Sequence, residues 1–376
     1  MKTRAALLTR MGAPAPYAGS RPLEVVEVDL APPGPGEVLL RMRAAGLCHS
    51  DLSVIDGNRP RPLPMVLGHE GAGVVEELGS GVTDLAVGDH VVTTFVPSCG
   101  RCGPCLDARP ALCEPGFAAN SAGTLLEGHR RLHRTGAGEP LNHHLGVSAF
   151  AEHAVVRRES LVRVDRSLGF EEAAVFGCAV ITGTGAVLNT ADLPPGRSVA
   201  VVGLGGVGLA ALLGARLREA RRIVAVDLSP AKLALARELG ATDTFDAADP
   251  GCVDAIREAT QGGVGYAFEM AGSVKAMEIA YRITRRGGTT VTAGLSHPQA
   301  MLSIAHVGIV AEERTIKGSY LGSCVPSRDI PRYIAWYQEG RLPVDRLLSG
   351  TLPLEDINLG FDRLARGEAL RHTLRL

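Results

Sequence analysis

The chain has 376 residues, 45% of them hydrophobic and 4% aromatic, and its 39 Lys and Arg nearly cancel its 40 Asp and Glu. That length allows two or three domains with a sizeable core, and the hydrophobic content excludes a disordered polymer. Balanced charge, no long basic run and so few aromatics exclude a nucleic-acid platform.

The first segment, MKTRAALLTRMGAP, has only a short apolar patch before Thr9 and Arg10, too short for a secretory signal. A soluble, cytoplasmic protein without a membrane partner is therefore expected. In a reducing compartment, clustered cysteines point to metal or redox chemistry rather than disulfides.

Residues 1–180 read as strand-rich. The stretches 37–45, 71–79 and 88–96 are short alternating or β-branched runs bounded by glycine. Residues 114–149 lack periodicity and are expected to form long loops. Before them, SCGRCGPCLDARPALC places Cys99, Cys102, Cys105 and Cys113 in a C-x2-C-x2-C-x7-C spacing. Disulfides, a redox pair and a metal cage are the alternatives. Two disulfides in so short a loop would be strained, and a redox pair needs only one C-x-x-C, so the spacing favours tetrahedral zinc. Four thiolates close the metal's shell, which makes this site a brace and not a place for chemistry.

From Ser198 onward strand and helix alternate. Six strand-like runs begin at SVAVVG, RIVAVD, ATDTFDA, VGYAFEMAG, GTTVTAGL and RTIKGSYLG, with helical segments between the earlier ones. This is the pattern of a doubly wound parallel sheet. Ser198 to Ala215 is uncharged and apolar enough to suggest a membrane span, but its glycines give a better reading. Gly203, Gly205 and Gly208 form G-x-G-x-x-G between a strand and a helix, where backbone N–H groups can approach a pyrophosphate. Asp227 ends the next strand. A carboxylate there accepts hydrogen bonds from the adenosine ribose and repels a 2′-phosphate, which favours NAD over NADP. The fold expected is α/β: a Rossmann domain over 181–323, and a strand-rich domain over 1–180 and 324–376.

Cys48, His69 and Cys178 have no local spacing that links them. On residue chemistry alone, each cysteine could be a small buried hydrophobe and the histidine a core hydrogen-bonding group. Cys252 and Cys324 read as packing cysteines. His143–His144 read as solvated or turn residues, because neighbours in an extended loop point apart.

GLCHSD, GHEGAGVV, the four-cysteine lobe, GCAVITGTGAV, GLGGVG followed by Asp227, and the ending GEALRHTL occur in this order along the whole chain. Together they resemble the zinc-dependent medium-chain alcohol dehydrogenases. Within that family the chain is similar to the longer-loop group that includes liver-type alcohol dehydrogenases and thiol-dependent formaldehyde dehydrogenases. The resemblance implies a GroES-like catalytic domain beside the Rossmann domain, two zinc ions and NAD. It implies that Cys48, His69 and Cys178 hold a catalytic zinc with an open fourth position, that Glu70 can approach the metal, and that Asp51 holds the ligand histidine. It makes Ser50 the acceptor of the hydroxyl proton. It places His49, Lys232, Leu295 and Arg371 against the cofactor, and Phe95 and Val207 in the substrate pocket.

The chain departs from the family pattern at two positions. Ser53 stands where many relatives carry the outer histidine of the proton relay. Phe117 stands where thiol-dependent formaldehyde dehydrogenases carry an arginine for the adduct's carboxylate. The expected activity is reversible oxidation of a primary medium-chain or aromatic alcohol. The alternatives are a thiol-dependent formaldehyde dehydrogenase and a catalytically silent dinucleotide-binding protein. A homodimer is expected, with a tetramer as the alternative, since 301–322 lies where relatives extend their sheet across a two-fold axis.

Overall fold

A computed structural model describes residues 1–376. The chain divides into two compact units. One comprises Met1–Cys178, Val325–Ile334 and Leu348–Leu376; the other comprises Ala179–Cys324 and Ala335–Leu347. The tail therefore differs from the sequence expectation, which gave all of 324–376 to the first domain. Leu342, Val344 and Leu347 are buried, and Arg346 pairs with Glu238 of the second unit at 2.6 Å. A short buried turn of this kind has no βα alternation to announce it.

The first unit is built on two sheets. One is five-stranded, in the order Leu132–Arg134, Leu23–Leu30, Lys2–Leu8, Met65–Val66 and Asn142–His143. The other centres on the long strand Glu37–Gly46, which pairs antiparallel with Glu70–Leu78, with His153–Arg157 and with the C-terminal strand His372–Arg375. Alternation along Glu37–Gly46 sends Val38, Leu40 and Met42 into a core shared with Leu67, Phe150 and Phe361. The region 114–149 is not simply loop. Cys113 Sγ accepts from Gly116 N to start a helix over Glu114–Ala122, which Gly123 ends at φ 67°. Such a short helix has too little apolar periodicity to be read from sequence.

The second unit is a six-stranded parallel sheet: β1 (Ser198–Val202), β2 (Arg222–Asp227), β3 (Asp243–Asp246), β4 (Val264–Glu269), β5 (Thr284–Thr292) and β6 (Thr315–Gly318). The spatial order is β3-β2-β1-β4-β5-β6. The order reverses beside β1, and ligands of such sheets bind at the strand ends there. The apolar run once open to a membrane reading is thus β1 followed by the helix Gly206–Leu217. By length and composition Phe170–Thr190 could cross a membrane, but 89% of its most apolar window is buried, as in a core helix.

Glu37 anchors the start of the central strand. Its carboxylate is fully buried and takes Arg131 Nε at 2.7 Å, Gly34 N at 2.8 Å and His129 Nδ1 at 3.1 Å. Burial raises its pKa, but the Arg131, Gly34 and His129 hydrogen bonds outweigh it and leave a net lowering from 4.5. Glu37→Gln is expected to cost about 2 kcal/mol at pH 7, the range for hydrogen bonds to a charged group. Because the folded pKa is depressed, this stabilisation exists above the ordinary carboxylate pKa and is lost as pH falls through the folded value. Urea unfolding of both proteins should show a gap at neutral pH that closes in acid.

Candidate functional site

The cysteine lobe is assembled by backbone turns. Cys102 N donates to Cys99 Sγ at 3.3 Å, and Cys113 Sγ receives Cys99 N at 3.1 Å and Gly116 N at 3.3 Å. Cys102 Sγ and Cys113 Sγ lie 3.9 Å apart. The edge of a zinc tetrathiolate with Zn–S of about 2.3 Å is about 3.8 Å, so the spacing suits a cation and is far too long for a disulfide. All eight cysteines are free. Burial pushes the Cys113 thiol up to about 12, so the four thiols do not all ionise without a cation to neutralise them.

A second cluster forms in the same unit. Cys48, His69, Glu70 and Cys178 place one donor atom each within 4.8 Å of one another, and all four are buried. Cys48 stands where the strand Glu37–Gly46 gives way to the helix His49–Ile55. His69 and Glu70 follow Gly68, whose φ of 94° and close approach to Phe150 leave no room for a Cβ. Thr93 Oγ1 ties this corner down, donating to His69 O at 2.8 Å and accepting from Gly71 N at 2.8 Å. Cys178 lies in a π-helical turn, Phe176–Val180, a local widening that often marks functional sites.

The donor chemistry fits a divalent cation. His69 Nδ1 faces Asp51 Oδ1 at 3.2 Å, and the matching tautomer leaves Nε2 as a lone pair, buried and without a protein partner. A hydrogen bond from Cys178 holds the Cys48 thiol low, and Cys178 is pushed up in turn by Cys48 and by burial. The two share a proton that a cation would displace. Burial pushes the Glu70 carboxyl up to about 7, with Arg371 pulling the other way. Both Glu70 oxygens are buried without a hydrogen bond, and Oε1 is 3.4 Å from Arg371 Nη1. Cys48, His69 and Cys178 supply three zinc ligands, with Glu70 beside them.

The surroundings hold two features that sequence reasoning missed. His143 and His144 are 0% and 2% exposed, so the solvated reading was wrong. The pair does point apart, as neighbours in an extended segment must, but both directions lead inward. His143 Nε2 accepts from Arg131 N at 3.0 Å, while His144 Nδ1 lies 3.1 Å from Asp51 Oδ1. Arg371, expected against the cofactor, is itself buried at 4% exposure, and its Nη1 donates to Leu47 O at 2.8 Å. No spacing rule links positions 70 and 371; only the strand pairing of His372–Arg375 with residues 44–46 does. Phe95 stacks edge-on against His69, with ring centroids 4.7 Å apart. His49 is exposed and Ser50 half-buried at the start of their helix.

In the second unit the glycine turn is shaped for a phosphate. Gly203 has φ 93°, and a Cβ on Gly208 would strike Gly203 O, while the space over Gly205 is open. Gly205 is the residue at which the helix Gly206–Leu217 begins. Asp227 ends β2, with Oδ2 accepting from Leu204 N at 2.6 Å and Oδ1 from Ser229 N at 2.9 Å. Lys232 is half-buried on the helix Pro230–Glu238, whose cap is Ser229. Val207 is half-buried in the first turn of Gly206–Leu217, and Leu295 is exposed beside Gly272. Arg222 is tied to Asp243 at 2.7 and 2.8 Å.

Residues 34–166 match the alcohol dehydrogenase GroES-like domain, and residues 206–339 match the zinc-binding dehydrogenase family. An S-(hydroxymethyl)glutathione dehydrogenase of Synechocystis sp. is 37% identical over 378 residues, covering 100% of both chains. Among solved structures, an alcohol dehydrogenase zinc-binding domain protein from Burkholderia ambifaria is 38% identical with a TM-score of 0.94, covering 100% of this chain and 99% of that one. A benzyl alcohol dehydrogenase from Acinetobacter calcoaceticus is 33% identical with a TM-score of 0.93, at the same coverage.

Metal analysis of the purified chain should find two zinc ions. Cys178→Ala is expected to lose one while keeping the fold by circular dichroism. Cys99→Ala should lose the other and lower the melting temperature. A chain that holds a single zinc, unaffected by Cys178→Ala, would contradict the second centre.

Proposed function

The chain belongs to the zinc-dependent alcohol dehydrogenase family, and on that premise we propose that it oxidises a primary alcohol, of medium chain or bearing an aromatic ring, reversibly to the aldehyde with NAD. The observation that carries this reading is the buried Cys48–His69–Cys178 cluster, the two-cysteine, one-histidine donor set of a catalytic zinc, with Glu70 beside it.

Zinc held there by Cys48 Sγ, His69 Nε2 and Cys178 Sγ would supply a Lewis acid for the substrate oxygen. NAD would supply the hydride acceptor. The chain's own residues do the rest. Asp51 fixes the tautomer and orientation of His69. Ser50 Oγ would accept the substrate hydroxyl's proton as it gives up its own, acting as a relay and not as a sink. Ser53 is a poor next step, because its Oγ already donates to His49 O at 2.9 Å and Ser50 O at 3.1 Å. A hydroxyl has one proton to give, so passing it onward would break that bond. His49, exposed at the helix start, offers the route to solvent. Asp227 is held by Leu204 N and Ser229 N, and its remaining lone pairs are available to ribose hydroxyls.

Substrate choice follows from Phe117. It is 72% exposed and apolar, in the position where thiol-dependent relatives carry a guanidinium. Without that cation the carboxylate of a glutathione adduct loses a partner. A second reading, oxidation of a formaldehyde–thiol adduct, draws support from the relatives named S-(hydroxymethyl)glutathione dehydrogenase at 37% identity. We take the working form as a homodimer, because β6 is a fully exposed edge strand whose unpaired backbone is fit to add a second copy.

An NAD-linked assay across primary, secondary and aromatic alcohols should show turnover of primary medium-chain or aromatic alcohols without added thiol. Formaldehyde oxidation that strictly requires glutathione would select the second reading. NAD should be preferred to NADP, and Asp227→Gly should narrow that preference. Cys178→Ala should cost about three orders of magnitude in kcat/KM, the several kcal/mol a Lewis acid contributes.

A further inference from the structure

Asp51 is a fully buried carboxylate on which three groups converge at one atom. Its Oδ1 accepts from Gly68 N at 3.0 Å and faces His69 Nδ1 at 3.2 Å and His144 Nδ1 at 3.1 Å. Its Oδ2 is buried and accepts nothing. The carboxylate is therefore oriented by what crowds Oδ1. Two of those groups, Gly68 and His69, belong to the ligand-bearing corner itself. The third, His144, arrives from a separate segment.

His144 is locked in place. The chain folds back on it, with Val147 N and Ser148 N donating to His144 O at 3.0 and 3.2 Å, and Ser148 Oγ accepting from His144 N at 3.1 Å. Its ring is edge-on to that of His69, centroids 5.6 Å apart at 74°. The approach to Asp51 has the length of an ion pair but lies off the straight hydrogen-bond direction. Its effect is thus to hold the oxygen in place electrostatically and sterically. Burial outweighs the pull of Asp51 and keeps the His144 pKa below the ordinary imidazole value.

We propose that His144 is a positioning residue for the metal ligand His69: by sharing Asp51 Oδ1 with His69, it fixes the carboxylate and, through it, the ring whose Nε2 faces the metal. This rests on the reading of Cys48, His69 and Cys178 as a metal centre. Partners at this remove from a metal typically change its affinity 10–100-fold when lost.

Two variants separate positioning from packing. His144→Phe keeps a flat ring of similar volume but removes the N–H. His144→Asn places an amide nitrogen near the position of Nδ1. The readouts are the rate at which zinc passes to a chromophoric chelator and the visible spectrum after cobalt replaces the zinc of this centre. Zinc in the cysteine lobe serves as an internal control of folding. His144→Phe is expected to release the catalytic zinc about tenfold faster and to shift the cobalt bands, with lobe zinc unchanged. His144→Asn should restore both toward wild type. Wild-type release and spectrum in His144→Phe would overturn the proposal, as would an asparagine variant no better than the phenylalanine one. If wild-type protein bound a single zinc that Cys178→Ala retained, the metal centre itself would fall, a failure distinguishable from the others.

Discussion

A set of metal-seeking atoms is buried with too few protein partners to satisfy it, and the first unit is organised around that constraint. Cys48, His69–Glu70 and Cys178 come from three separate segments and are all withdrawn from water. Buried thiols, an imidazole lone pair and a carboxylate without hydrogen bonds are costly unless a cation completes them. The crowding shifts their proton affinities: one thiol is held low by its neighbour and the other is pushed up, and burial raises the carboxyl to about 7. A fold tolerates such an arrangement when a ligand repays it.

The scaffold around these atoms is rigid where rigidity matters. Gly68 lets the chain turn past Phe150 so that His69 and Glu70 face inward, and Thr93 clamps the carbonyl of His69. The C-terminal strand pairs with the end of the strand that leads to Cys48, which brings Arg371 from the far end of the sequence against Glu70. The cysteine lobe has a different character. Its thiolates are gathered by their own backbone N–H groups over a short segment, so it can close around a metal locally. In the second unit Asp227, at the end of β2, secures the glycine turn by accepting from Leu204 N.

Much of this was legible in the sequence where the signal was local. The parallel sheet was legible because strand-like runs alternate with helical segments from Ser198 onward, and the glycine turn because its spacing is contiguous. The cysteine lobe was readable for the same reason. The second cluster was not, since positions 48, 69 and 178 share no spacing and only the family resemblance joined them. His144 escaped because adjacency in an extended segment fixes opposite directions but says nothing about which directions are buried. The helix Glu114–Ala122 escaped because a cysteine caps it and its apolar pattern is weak. The placement of 335–347 escaped because three buried aliphatics in a short turn carry no period.

X-ray absorption at the zinc edge of the fully loaded wild-type protein tests the central claim most directly. A four-thiolate lobe together with a Cys48–His69–Cys178 centre open to one lighter ligand predicts an average of about three sulfurs at about 2.3 Å and about one nitrogen or oxygen at about 2.0–2.1 Å per zinc. A shell of four sulfurs with no lighter neighbour would mean that only the lobe binds metal, and the account of the buried cluster would be contradicted.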